Sequence, residues 1–213
     1  MCLPMNTKEA EKICHTLSSP SKMPCFGYSI PAFMCVTGSK LMKVKGSVCS
    51  ICYARKGRYI FKTVKEAMIK RAESLSNPLW VEAMVTLIKS KRNQTYFRWH
   101  DSGDLQSTGH LCKIVEVALR LPNITFWLPT REYGIISSYI NERGGFPDNL
   151  TVRLSSFMLD GKPPTAVATR LGVVTSGVLE EGASCPAPKQ GNKCLDCRAC
   201  WDKNIPNVNY KKH

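Results

Sequence analysis

The residues best placed to do chemistry are cysteines: the chain has 11, and eight of them form two groups. Cys185, Cys194, Cys197 and Cys200 lie in CPAPKQGNKCLDCRACW; Cys25, Cys35, Cys49 and Cys52 lead into CSICYARKG. A two-residue gap between cysteines brings both sulfurs to one side of a turn, at the separation a metal centre needs. The run Cys194, Cys197, Cys200 repeats that gap, which is the ligand spacing of cubane iron–sulfur clusters. Zinc sites more often use two separated pairs. The expectation is one or two iron–sulfur clusters of the [4Fe-4S] type, with zinc as the alternative metal. In the N-terminal group only Cys49 and Cys52 are tightly spaced, so Cys25 or Cys35 is open to a second reading as a buried thiol. Tyr53 would shield such a centre from water, and Arg55, with Lys56 and Arg58, would balance its negative charge. Cys2, Cys14 and Cys112 have no near partners and read as buried or incidental, with Cys14-His15 as a remote ligand pair. The four histidines show no zinc-type spacing among themselves.

A second set of reactive residues follows short apolar runs. His100-Asp101-Ser102-Gly103-Asp104 comes after TYFRW, Arg131-Glu132 after ITFWLPT, and Ser155-Ser156 after LTVRL. Polar residues directly behind apolar strands are what a ligand-lined rim looks like in parallel α/β folds. His100, Asp101, Asp104, Arg131 and Glu132 are the candidate catalytic residues: the acids accept protons from a ligand's hydroxyl or ammonium group, and Arg131 pairs with a carboxylate. Tyr53, Arg55, Ser155 and Ser156 are the candidate cofactor contacts. Helix capping is the competing explanation for Asp104, Ser107 and Thr108.

The elements that must position these residues alternate. Helices are expected over Lys8–Leu17, Thr63–Leu75, Leu79–Lys91, Thr108–Leu121 and Arg131–Arg143. Strands are expected over Thr95–Trp99, Ile124–Leu128 and Leu150–Leu154, with one more over Val167–Val174. Strands separated by single helices predict a parallel sheet. The fold class is therefore α/β: a parallel sheet with helices, a Cys-rich metal-binding N-terminal loop and a C-terminal lobe. The expected division is an α/β domain over 1–181, containing the loop at 21–58, and a Cys-rich metal-binding lobe over 182–213.

The charge is strongly basic, with 30 Lys plus Arg against 16 Asp plus Glu and a net +14. Residues 40–71 hold much of the excess, with Glu66 as their one acid. This stretch fits either a polyanion-binding face, with nucleic acid as partner, or a solvated face that offsets an anionic cluster. No apolar run approaches membrane-spanning length, and MCLPMNTKEAEKIC has no basic segment followed by an apolar one, so a cytoplasmic location is expected. Thiols stay reduced there and bind metals rather than pairing.

Taken together, GYSIPA, Cys35, GSVCSICYARKGRY, FRWHDSGDL, FWLPTREYG and CPAPKQGNKCLDCRACW resemble the phage "gene product 88" family over about Cys25 to Trp201. This implies a phage-encoded protein working in the host cytoplasm. The CxxCYA element also resembles cluster-binding loops of radical S-adenosylmethionine proteins, which are full or partial TIM barrels with a cluster at the strands' C-terminal rim; the resemblance implies that the parallel sheet is partial TIM-barrel-like. The chain departs from that pattern: no third cysteine precedes Cys49 by three or four residues, and SerGlyAspLeu stands where a GGE motif would. The leading expectation is an iron–sulfur protein of redox or reductive chemistry. An iron without a fourth protein ligand would be open to a substrate or S-adenosylmethionine, and an electron donor would be its partner. If four cysteines fill each site, electron transfer or a structural role remains. A zinc- or cluster-stapled basic protein that binds nucleic acid through residues 40–71 is the alternative. A hydrolase is disfavoured because no nucleophile elbow, Walker loop or HExxH is present.

Overall fold

The computed structural model describes residues 5–212; Cys2 and His213 lie outside them. Asn6 opens the first helix, α1 (Thr7–Cys14), through a capping box: the Glu9 amide donates to Asn6 Oδ1 at 3.0 Å and the Asn6 amide to Glu9 Oε2 at 2.9 Å. A two-residue strand, β1 (Gly27–Tyr28), follows, and then the short helix α2 (Val36–Leu41). Three 3₁₀ turns (Val48–Ile51, Tyr53–Arg55, Gly57–Ile60) carry the chain through the first cysteine loop. Two helices come next, α3 (Lys62–Ser74) and α4 (Trp80–Lys89).

Strands and helices then alternate: β2 (Tyr96–Trp99), α5 (Thr108–Arg120), β3 (Thr125–Thr130), α6 (Tyr133–Arg143), β4 (Leu150–Ser155), α7 (Thr165–Arg170), β5 (Val174–Leu179) and β6 (Asn207–Lys211). The six strands form one sheet in the order β1-β2-β3-β4-β5-β6, and every pairing is parallel. The expected α/β class and parallel sheet are thus present. Two elements differ from expectation. The apolar run Val167–Val174 is split between the end of α7, a turn at Gly172 with φ +61°, and the start of β5. The segment expected as a separate Cys-rich lobe supplies the sixth strand, β6, which pairs with β5.

Alternation along the strands gives the sheet two faces with different work. Phe97, Trp99, Phe126, Leu128, Leu150, Val152 and Leu154 point toward the helices and join Trp80, Met84, Leu87, Leu111 and Ile114 in the main core. Cys14 is part of this core, its Sγ donating to Trp80 O at 3.4 Å, so it packs rather than ligates. Trp127 and Val208 lie in a second apolar cluster with Cys25, Cys200 and Trp201. Arg153 also serves that opposite face. It is fully buried on β4, and its guanidinium donates five hydrogen bonds, to the carbonyls of Cys200, Thr175, Ile205, Ala199 and Asp202, at 2.7–3.1 Å. One rigid cation therefore ties the segment 199–205 to the sheet and leaves none of its donors unpaired.

Candidate functional site

A chamber of about 500 Å³ opens at the carboxyl ends of β2 to β5, and both cysteine-rich segments line it. One wall carries Cys35, Cys49 and Cys52; the other carries Cys185, Cys194 and Cys200. Between them the sheet presents Arg98, Trp127 and Ser155.

The cysteines group differently from their order in sequence. The Cys35 and Cys49 sulfurs both flank Gly38, 3.7 and 3.6 Å from where its Cβ would stand, and that Cβ would come within 2.8 Å of Cys35 Cβ. Any side chain at 38 would therefore intrude on the gap between the two thiols. Cys52 is close enough that its charge as a thiolate raises the pKa of both. Cys25 stands apart from this triad, packed with Cys200 and Cys185 and electrostatically coupled to Cys194. The Cys194 amide donates to Lys22 O at 2.9 Å, which docks the C-terminal segment beside Cys25. The arrangement is thus Cys35, Cys49 and Cys52 on one side and Cys25 grouped with Cys185, Cys194, Cys197 and Cys200 on the other, of which Cys185, Cys194 and Cys200 line the chamber. Sequence spacing placed Cys25 with the N-terminal group, whereas a hydrogen bond from a distant backbone amide, Cys194 to Lys22 O, lays the segment before Cys25 against the C-terminal segment.

All ten cysteines among the described residues are free. Burial raises the pKa of Cys25 to about 12 and of Cys200 to about 11, and it also raises Cys35 and Cys49. Arg131 is the strongest charge opposing that effect at Cys49, with Arg55 also opposing it. A metal would have to displace these protons, and the two guanidiniums favour the thiolate that results. Among the described residues, no three Cys, His, Asp or Glu side chains close on a point that would hold a single ion. In a cubane each thiolate binds its own iron, so the sulfurs stand farther apart than around one zinc. The triad, the gap kept by Gly38 and the open chamber beside it fit such a group.

The rim residues separate into those that face the chamber and those that brace it. His100, Asp101, Asp104, Arg131, Tyr53, Arg55 and Ser155 line it. Glu132 does not: its Oε1 and Oε2 accept from the Thr37 amide and hydroxyl at 2.8 and 2.7 Å, so it clamps the first turn of α2 beside Cys35. Ser156 is also turned away, its hydroxyl donating to Ser176 O at 3.1 Å, into a smaller cleft of about 240 Å³ with Tyr133 and Phe157. Asp104 is not a helix cap. Ser107 takes that role for α5 by accepting from the His110 amide at 3.1 Å. Asp104 instead accepts from Thr130 Oγ1 (2.6 Å) and from the amides of Leu105 (2.8 Å) and Arg131 (2.9 Å), which stitches the ends of β2 and β3 together. Burial raises its pKa to about 6 against the pull of those three donors.

The end of β2 is strained and underbonded. His100 has φ +53°, an unusual conformation for a side chain of its size, and Gly103 has φ +83° with no room for a Cβ, which would meet Ile30 Cγ1 at 2.3 Å. His100 Nδ1 and Nε2, Asp101 Oδ1 and Ser102 Oγ are buried with no hydrogen-bond partner, as are both ring nitrogens of His110. The two imidazoles stand 5.3 Å apart, centroid to centroid. Buried polar atoms in native proteins rarely stay unpaired, so several at one strand end mark a place where water or a ligand supplies the missing partners. Asp101 is held from the other side: Tyr59 donates to its Oδ2 at 2.9 Å and Tyr53 to its backbone carbonyl at 2.6 Å.

Three residues without a motif also shape the site. Arg98 lies 4.4 Å from the Trp127 ring centroid between the two cysteine walls, and Arg153 and Tyr210 hold the far wall, Tyr210 with its hydroxyl 3.3 Å from Cys200 Sγ. The signal in sequence was an arginine inside each of the apolar runs YFRW and LTVRL, where a strand face meets a polar interior. No helix among the described residues is long and apolar enough to cross a membrane. No curated protein and no solved structure matches the chain. The profile of the gene product 88 family matches residues 3–203, nearly the whole length, and the chain belongs to that phage-type family.

Proposed function

We propose that this is an iron–sulfur protein that carries out reductive chemistry on a small molecule held in the chamber. The observation that carries the reading is that two cysteine sets face one chamber and that one of them has only three thiols. Cys35, Cys49 and Cys52 would hold a [4Fe-4S] cluster at three corners, leaving one iron open toward the chamber. Four of the five cysteines of the opposite wall would hold a second, closed cluster. Iron–sulfur centres supply one-electron chemistry, and an open iron supplies a binding position. The one-directional strand order supports a sheet that curls as a partial barrel, with the site at its carboxyl rim.

The chain's own groups have definable tasks there. Arg131 anchors its Nε on Ser156 O at 3.0 Å, which leaves the rest of its guanidinium for an anionic group beside Cys49. Lys22, Arg55, Arg98 and Lys211 also line the chamber, and none of them is in an ion pair, because the ion pairs among the described residues all lie elsewhere. Such a chamber favours a ligand with a carboxylate or phosphate. Asp104, with a pKa near 6, holds or releases a proton near neutral pH, and neutral His100 offers a donor and an acceptor to the ligand. S-adenosylmethionine is one candidate through its carboxylate, although its sulfonium and ammonium make it a net cation.

Anaerobic purification with iron and acid-labile sulfide analysis tests the reading. About eight of each per chain are expected, falling to about four in Cys35→Ser/Cys49→Ser/Cys52→Ser. An electron paramagnetic resonance spectrum of the reduced triad cluster that shifts on adding S-adenosylmethionine would identify that ligand; no shift would discard it and leave the open iron for another. Zinc without sulfide would sink the whole redox reading.

A further inference from the structure

The large apolar side chains exposed among the described residues are concentrated on one stretch. Phe33, Val36, Met42, Val44, Ile60 and Phe61 are all exposed, Ile60 to 62% and Phe61 to 59%. Met158, exposed to 39%, extends the same surface through the bridge between Ser47 and Met158. Exposed cations stand among them, including Lys43, Lys45, Lys56, Arg58 and Lys62. From Phe33 to Lys65 the sequence contains no Asp or Glu. No cation of this stretch is in an ion pair, since every ion pair among the described residues lies elsewhere. Two contacts tie parts of the stretch together: Lys65 Nζ sits 6.0 Å from the Phe33 ring centroid, and the Tyr53 and Tyr59 rings lie 5.7 Å apart. This surface surrounds the loop that carries Cys49 and Cys52.

We infer that this face is the docking surface for an acidic protein that donates single electrons to the triad site. The docking role rests on the iron–sulfur reading of the triad. Exposed apolar groups ringed by unpaired charge of one sign mark an interaction surface, and the sign calls for an anionic partner. Base stacking on nucleic acid needs exposed rings, and this face has three (Phe33, Tyr53, Phe61) against five aliphatic or thioether members, Val36, Met42, Val44, Ile60 and Met158. An apolar centre with a complementary charged rim is instead a protein interface of the small, transient kind used in electron transfer. Position gives the partner its task, because a protein seated here covers the loop on which two of the three thiols stand. With a cluster held by the triad, one electron would pass to it from the partner: the partner would be oxidised by one, the cluster reduced by one, and no bond made or broken.

The probe is an acidic flavodoxin, titrated against the purified protein and against Lys43→Glu/Lys45→Glu/Lys62→Glu, with dithionite as a small reductant that needs no docking. These cations are exposed and lie outside the chamber, so iron content in the variant should match the wild type. The expected result is binding that weakens steeply with salt and at least tenfold in the variant, while dithionite bleaches both proteins alike. Ile60→Ser/Phe61→Ser should weaken binding without changing its salt dependence. Equal affinity of wild type and charge-reversed protein overturns the inference. So does a single-stranded oligonucleotide or a phosphatidylserine vesicle that binds in a patch-dependent way while flavodoxin does not. If dithionite leaves the wild type unbleached, the iron–sulfur reading falls and the donor role falls with it, whatever the binding data show.

Discussion

Two histidines, His100 on the chamber wall and His110 packed behind it, are held against their solution behaviour. His110 has its pKa lowered to about 3, chiefly by burial and then by the charge of Lys113, and burial likewise holds His100 well below its usual 6.5. Both are neutral in the folded protein, and the unfolded chain takes up a proton at each site once pH drops below about 6.5. The unfolded state then binds more protons, so stability is full above that pH and is lost as pH falls from about 6.5 toward 3. Denaturant titrations across this window should show the slope, and His110→Phe should remove a contribution of roughly 3–5 kcal/mol over the full window. A pH-independent stability would mean that the imidazoles are bonded to something that keeps them charged. Gly103 belongs to the same scale. Gly103→Ala puts a Cβ at positive φ and against Ile30, so a loss of at least about 2 kcal/mol in a urea melt is expected, with the rim of β2 displaced.

Secondary elements are fastened to the cysteine segments by single side chains. Glu132, at the start of α6, binds both the amide and the hydroxyl of Thr37 and so fixes α2 next to Cys35. Glu132→Ala frees these two donors, and a loss of about 1–3 kcal/mol is expected, together with weaker iron retention if the triad holds the proposed cluster. If iron content and melting both stay unchanged, the clamp has no role in presenting Cys35. Arg153 has the same function for the other wall. Lysine there cannot reproduce a planar fork with five donors, so Arg153→Lys should behave nearly as badly as Arg153→Met, each costing more than about 3 kcal/mol by leaving buried carbonyls unpaired. Limited proteolysis would show it first as cleavage within 185–206. A lysine variant as stable as the wild type would show that charge alone, not the fork, secures the segment.

At the scale of the whole molecule, metal and fold should be coupled, because the two cysteine walls close on the chamber from opposite ends of the chain. On the iron–sulfur reading proposed above, removing iron with a chelator should lower the melting temperature by several degrees and expose the 185–206 segment before the sheet melts. Simultaneous loss of both would mean that the walls and the sheet are one cooperative unit.

The elements were largely legible from local pattern: α5, α6, β3 and β4 follow from apolar periodicity, a serine cap and the stops at Pro122 and Gly144-Gly145. The parallel sheet followed from their alternation, and the reactive positions His100, Asp101, Asp104 and Arg131 from standing behind apolar strands. Local pattern also fixed which residue types are at hand: thiols at two-residue gaps, and cations without acids between Phe33 and Lys65. Only the tertiary structure decided who faces whom. Cys25 joined the C-terminal thiols, Glu132 turned outward to hold α2, and β6 came out of a tail too poor in apolar residues to announce a strand. Each of these depends on a pairing between residues tens of positions apart, where hydrogen bonds to a distant backbone outweigh local propensity. A one-dimensional reading carries no term for such partners.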